Sequence, residues 1–345
     1  MLTKTCSIKM PNCLNLIRLL AAFKVMYGHF RVHLDVALPS LLTQIIEFIS
    51  GVPVFFVMSG FLIWNSAGNA RNFWEYGKKR FFRIFPELWL GVAIEILTIL
   101  FFYLENIDPI ELGLFAFGQA TVFQFWTPDS LRGYGCGTPN GSLWTICVLI
   151  QFYVAVWFLY KQLHGKAGKR WGIAYLVALF VSTIPFYMQN AVPVIVYKLY
   201  SQTLLPYLWL FLLGAFVAEF SDKLLPFLKK YWWAFLLSSI TTTFLQLSIF
   251  GVQQYDIIKS VALALGLLGF AYHYPGLNIK LDVTYGLYIY HMIVANVMIS
   301  LGQVGNVGVF VISIGVSMLL AYGCTIFGKT INRLAQRNSA SEVKS

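Results

Sequence analysis

Charge is what this sequence has least of. Asp, Glu, Lys and Arg together make up 11% of its 345 residues, less than half the share in a typical soluble domain. That scarcity excludes an ordinary water-soluble enzyme. Acidic residues are the rarer kind, 14 against 25 basic ones, and the net charge of +11 calls for an explanation. Cysteine is also sparse. The thiols Cys6, Cys13, Cys136, Cys147 and Cys324 show no C-x-x-C spacing, which argues against thiolate metal binding, and a single one in an external loop (Cys136) allows no disulfide. There is no fixed-period repeat, no soluble second domain and no low-complexity tract beyond a polar tail, Asn338–Ser345.

What is present instead is apolar: 58% hydrophobic residues, with 30 Phe, 19 Tyr and 10 Trp. Only helices or closed barrels span lipid, and continuous apolar runs near 20 residues mean helices. The expected fold is an all-α polytopic membrane protein of about ten transmembrane helices. They are placed at residues 14–33, 41–65, 86–104, 142–160, 171–188, 203–220, 231–250, 257–273, 283–301 and 307–328. No small-residue cleavage site follows the short basic start (Lys4, Lys9), so the first helix is expected to be retained. With the N-terminus inside, only Arg31, Arg132, Lys198 and Lys259 of the 25 Lys and Arg fall outside, and Lys24 falls within the bilayer. This asymmetry puts both termini in the cytoplasm and removes the case for a nucleic-acid partner. Residues 110–126 are apolar but short, and a full crossing there would reverse every later loop. They are expected to be interfacial or re-entrant.

The first helix, Leu14–His33, carries a guanidinium and an imidazole. Arg18 and His29 are eleven residues apart, which returns them to within about 20° on a helix and separates them by roughly 16 Å. His33 lies near the same face, whereas Lys24 projects elsewhere. Ionisable groups in a spanning helix usually face a partner or cavity. Glu47 and Glu95, on the second and third spans, are candidates to pair with Lys24. The second span is interrupted by Gly51 and Pro53, and its Ser59-Gly60 provides small residues for close helix packing. In Lys78-Lys79-Arg80-Phe-Phe-Arg83-Ile-Phe-Pro86, two readings stand. The segment is a lipid-facing basic-aromatic anchor, or Arg80 and Arg83 clamp a phosphate. After a Gly/Pro-rich external loop at 128–139 comes Asn140-Gly-Ser142-Leu-Trp144-Thr145. It reads either as a sugar-binding mouth or as turn and cap chemistry. Tyr288 and His291, at i and i+3, share one side of the ninth span, either for chemistry or for packing.

Taken in order, these pieces resemble the acyltransferase 3 family of integral membrane acyltransferases, over nearly the whole chain. The resemblance is carried by Arg18 and His29, by Pro53-Val-Phe-Phe-Val-Met-Ser-Gly-Phe-Leu-Ile63, and by Arg80-x-x-Arg83 with Pro86. Asn140-Gly-Ser-Leu-Trp-Thr145 and Thr284-Tyr-Gly-Leu-Tyr-Ile-Tyr-His291 complete it. It implies transfer of an acyl group, commonly acetyl, from cytoplasmic acyl-CoA to a hydroxyl of a surface glycan such as O-antigen or its lipid-linked precursor. A bacterial inner-membrane location follows. So do the lipid bilayer and polysaccharide-assembly proteins as partners, with no tightly bound cofactor and no metal. His29 is then expected as general base, Arg18 as phosphate or oxyanion contact, and His291 as a further catalytic residue. Arg80 and Arg83 are expected to bind CoA phosphates, and Asn140, Ser142, Trp144 and Tyr288 the acceptor. The expected domain is 1–337, with 338–345 as tail. The sequence carries no fused extracytoplasmic hydrolase-like domain, so the chain is expected to deliver the acyl group itself or hand it on. It departs from the family at Cys147 (usually Pro), Leu149 (usually Glu), Asn15 (often Asp) and Lys24 (usually apolar). A polysaccharide exporter or flippase, and a catalytically silent regulator of glycan assembly, remain the alternatives.

Overall fold

The computed structural model of the chain describes residues 10–187, 190–245, 251–252 and 255–342. Lys4, Cys6, Lys9 and Lys344 lie outside the described residues. The elements in order are α1 (Leu14–His33), α2 (Ser40–Glu47), α3 (Gly51–Gly68), α4 (Phe73–Tyr103), α5 (Pro109–Ala120), α6 (Trp144–Leu163) and α7 (Gly168–Tyr187). They continue as α8 (Val194–Ser201), α9 (Leu208–Glu219), α10 (Ser221–Phe244), α11 (Ile257–His273), α12 (Thr284–Ser300) and α13 (Val307–Glu342). A two-residue antiparallel pair, β1 (Gly251–Val252) and β2 (Tyr255–Asp256), precedes α11. The protein is therefore all-α in substance. Among the described residues four stretches are long and apolar enough to cross a membrane: Ser40–Gly68, Phe73–Asn106, Gly141–Leu163 and Val307–Leu334. The bent pair Val194–Ser201 and Leu205–Glu219 makes a fifth if it is one span. These mark an integral membrane protein.

Three expected boundaries move, each for a physical reason. The second span breaks between Glu47 and Gly51. Pro53 then falls in the first turn of α3, where its missing N–H goes unneeded. The third span begins thirteen residues earlier than Pro86, because α4 runs straight through that proline. Proline at 86 deprives the Phe82 carbonyl of its helical donor. The Asn332 side-chain amide supplies one at 3.0 Å. Lastly, α10 carries non-helical angles at Tyr231 (φ −111°, ψ 17°), where the seventh span was expected to start.

Residues 109–130 form a hairpin that folds back on itself against α4. Asp108 caps α5 by accepting from the Ile110 and Glu111 N–H groups, with Pro109 at the first helical position. Twelve residues reach only about 18 Å, too short to cross. The far end is tied to α4, where Trp89 Nε1 donates to the Ala120 carbonyl at 2.9 Å. The chain then returns, and the Ser130 N–H donates to Glu111 Oε2 at 3.0 Å, back beside the start of α5. The irregular backbone of its return finds partners within the protein. Gln119 Nε2 donates to the carbonyls of Gln124 and Trp126, and Gln124 Nε2 donates to those of Gln119 and Thr121.

The chain divides into two compact units: Met1–Lys24, Gln44–Tyr76 and Val148–Leu281 in one, Val25–Thr43, Gly77–Cys147 and Asp282–Ser345 in the other. In the first, α3 and α9 pack backbone to backbone. A Cβ at Gly60 would overlap the Phe211 carbonyl, and one at Gly214 the Val57 carbonyl, so the small residues read from the sequence do permit close approach. The buried Glu219 carboxylate gathers Trp64 Nε1, His164 Nδ1 and the Gly165 N–H. Lys24, Glu47, Asp256 and Lys259 form one charged cluster. In the second unit α4 runs alongside α12, tied by Arg83 to Asp282, by the Tyr285 hydroxyl donating to the Ile84 carbonyl at 3.2 Å, and by Gly91 against Ile289. Phe30 of α1 packs edge-on against Phe310 of α13 and His291 of α12.

Gly60→Val is expected to cost about 1–3 kcal/mol by overpacking. Gly172→Ala, with open space around it, is expected to leave stability unchanged or slightly raised. Thermal unfolding in detergent measures both.

Candidate active site

His291 sits on α12 with no solvent exposure, its Nδ1 3.0 Å from the Leu287 carbonyl oxygen of its own helix. A carbonyl only accepts, so Nδ1 carries the proton and Nε2 of the neutral ring is an acceptor. The atom facing that Nε2, at 2.7 Å, is His29 Nδ1, which must therefore donate. The hydrogen-bond partners thus assign His29 as the Nδ1–H tautomer, with Nε2 as its basic nitrogen. The two rings lie within 13° of parallel, centroids 5.0 Å apart. His33 stands 5.8 Å from His29, and Tyr288 lies edge-on to His291 at 5.9 Å.

Several expected acceptor-binding residues turn toward α12. Asn140 Nδ2 donates to the Ile289 carbonyl at 3.0 Å. Ser142 Oγ lies 2.9 Å from Asn140 Oδ1 and 3.1 Å from the Tyr288 carbonyl. Thr145 Oγ1 is 2.8 Å from the Tyr288 hydroxyl. These groups are buried and join the start of α6 to the histidine helix. Trp144, half-buried, opens α6, and Arg18 is half-buried on α1.

The loop before α6 is held by a residue that motif reading passed over. Asn296, fully buried on α12, accepts from the Cys136 N–H at 2.8 Å and donates to the carbonyls of Thr138 (3.2 Å) and Pro139 (2.6 Å). Gly135 beside it has φ 53°, and a Cβ there would overlap Asn296 Oδ1, so both conformation and space require glycine. Burial raises the Cys136 thiol above its ordinary value. Burial likewise pushes the Tyr134 phenol up to about 12, against the lowering effect of its bond to Thr98 and with the Glu95 carboxylate adding to the rise. An amide in mid-helix was the available signal for Asn296, because such a side chain needs partners when buried.

At the other end of α4, Arg80 and Arg83 share a helix, as the clamp reading required. Arg83, however, has a partner: its Nη2 lies 2.8 Å from Asp282 Oδ2. Asp282 Oδ1 also accepts from the Thr284 N–H, capping α12. Glu87, one turn beyond Arg83, is buried against Gly328. The guanidiniums suit phosphate oxygens in kind, and Arg83 meets a phosphate only in competition with Asp282. Leu149, where the family usually has Glu, is buried at the start of α6. No three His, Cys, Asp or Glu converge to hold a metal among the described residues.

A family model described as an acyltransferase domain (Acyl_transf_3) matches residues 12–326. Nodulation protein 10 of Rhizobium leguminosarum bv. viciae is 28% identical over 319 residues, covering 86% of each chain. The peptidoglycan O-acetyltransferase OatA of Listeria monocytogenes is 27% identical over 119 residues, 31% of this chain and 18% of that protein. No solved structure matches significantly.

Asn296→Leu is expected to loosen the 136–139 backbone. A raised thiol is mostly protonated at neutral pH and alkylates slowly, so exposing Cys136 lowers its pKa and speeds the reaction. Alkylation by an impermeant maleimide is expected to quicken by about tenfold.

Proposed function

Because the chain belongs to the acyltransferase 3 family, it is an integral membrane acyltransferase of groups other than aminoacyl, and we propose that it carries acetyl from acetyl-CoA to a hydroxyl of a surface polysaccharide or its lipid-linked precursor. The Listeria relative is a peptidoglycan O-acetyltransferase, which supports both the acetyl group and the saccharide hydroxyl. The observation that carries the reading is the His29–His291 pair at 2.7 Å, which leaves His29 Nε2 basic.

In this mechanism His29 Nε2 takes the proton from the acceptor hydroxyl as its oxygen attacks the thioester carbonyl. The tetrahedral intermediate then collapses, the C–S bond breaks, and the imidazolium returns the proton to the departing CoA thiolate. His291 holds the ring throughout by accepting from Nδ1–H, so the proton moves at Nε2 alone. Arg18, three turns along α1, serves the donor's phosphates or the oxyanion. Arg80 and Arg83 serve the CoA phosphates, with Asp282 as the competitor that keeps Arg83 in place when no donor is bound. Excluding water from this seam protects the thioester from hydrolysis.

The reading extends to about ten spans with both termini in the cytoplasm of a bacterial inner membrane, supported by the basic bias of the inner loops. It extends also to assembly proteins for the same polysaccharide as partners.

His29→Ala is expected to lower transfer of labelled acetyl to glycan at least a hundredfold while the protein still accumulates in membranes. Full activity in that variant would overturn the assignment. Arg80→Ala with Arg83→Ala is expected to raise the KM for acetyl-CoA about tenfold or more. Asp282→Asn, which frees Arg83, is expected to lower it by roughly two- to threefold.

A further inference from the structure

The second unit contains a set of buried oxygens that the mechanism above does not use. Glu95 on α4 is 1% exposed, and Gln119 and Gln124 of the hairpin are 2% and 3%. Both carboxylate oxygens of Glu95, and Oε1 of each glutamine, lack a hydrogen-bond partner among the described residues. The amide orientations are set, because each Nε2 faces carbonyl oxygens, and this leaves Oε1 as the spare atom.

These side chains converge by helix geometry. Ile99 of α4 and Phe115 of α5 belong to one buried cluster with Leu131 and Tyr134. Glu95 lies one turn before Ile99 on the same face of α4, and Gln119 one turn after Phe115 on the same face of α5. The two helices run antiparallel, since Trp89, further back on α4, meets Ala120 at the end of α5. One step back along α4 and one step forward along α5 therefore lead to the same level, beneath that cluster. Gln124 joins through its bond to the Gln119 carbonyl. Tyr134, of the same cluster, has its hydroxyl 3.1 Å from Thr98 and interacts electrostatically with Glu95.

The glutamine Oε1 atoms are acceptors only, and the Glu95 carboxyl accepts through one oxygen and, in its neutral form, donates through the other. A phosphate or carboxylate ligand, itself a set of acceptors, is repelled by such a group, and a molecule rich in O–H donors satisfies it. Closing apolar protein over acceptors without donors is costly, so the closed hairpin is the strained state, and a hydroxylated guest offsets that strain. We propose that Glu95, Gln119 and Gln124 form the bed for the hydroxyl groups of the saccharide acceptor, reached when the hairpin lifts from α4. This rests on the acyl-transfer reading above and assigns the acceptor to a place apart from the arginines that serve the donor.

The test uses membranes bearing the full chain, acetyl-CoA labelled in its acetyl group, and a concentration series of the host's own surface glycan, stripped of its O-acetyl groups. Glu95→Ala and Gln119→Leu are each expected to raise the KM for glycan about tenfold or more, the loss of one hydrogen bond to a charged or buried group. The KM for acetyl-CoA is expected to change less than about twofold. Glu95→Gln, nearly the same shape and retaining an acceptor oxygen, is expected to fold normally and show a smaller rise. Unchanged glycan KM in all three variants would mean that water serves these oxygens, and would overturn the proposal. A fall in kcat with both KM values unchanged would overturn it too. Absence of label on glycan with the unsubstituted chain would instead overturn the acyl-transfer reading, and this inference with it.

Discussion

The hydrogen bond between two imidazoles, His29 and His291, is the constraint on which the rest of the second unit turns. A histidine in an apolar surrounding has two tautomers of similar intrinsic energy, and only one of them presents Nε2 as a base. The choice is made one residue away, by a helix carbonyl: Leu287 accepts from His291 Nδ1, and the polarity passes through Nε2 to His29. A carboxylate in the place of His291 would set the same tautomer but add a buried negative charge. A neutral ring does so without that desolvation cost.

That arrangement requires α12 to be held in register, and the surrounding side chains serve this purpose. Asp282 caps its first turn while pairing with Arg83. Asn140 and Ser142 take the spare lone pairs of the Ile289 and Tyr288 carbonyls, and Asn296 fastens the loop before α6 two turns further on. Each of these contacts uses a polar group that lipid would otherwise leave without a partner, so satisfying the backbone and positioning the base are one requirement.

Charge is also sorted along α4. Its beginning carries Arg80 and Arg83, cations suited to a phosphorylated donor. Nearer its other end, Glu95 and the hairpin glutamines present unpartnered carboxyl and amide oxygens. On the proposed reading, donor and acceptor substrates of opposite hydrogen-bonding character meet different stretches of the same helix, with His291 of the imidazole pair on neighbouring α12.

The family, the all-helical membrane character, the first helix with its arginine and histidine, the break before Pro53, the close approach at Gly60 and a helix too short to cross a membrane near residues 110–126 were all legible in the amino-acid sequence. They are written in periodicity, in run length and in local stereochemistry, which act between near neighbours along the chain. The sequence misjudged the start of α4, because a proline breaks a helix unless a distant donor such as Asn332 replaces the lost one. Nothing local in the sequence shows that α12 offers carbonyls to Asn140 and Ser142. The tautomer of His29, the pairing of Arg83 with Asp282 and the clamp at Asn296 were decided only by tertiary structure. Each joins residues more than a hundred positions apart, and a hydrogen bond depends on separation in space, which linear order does not record.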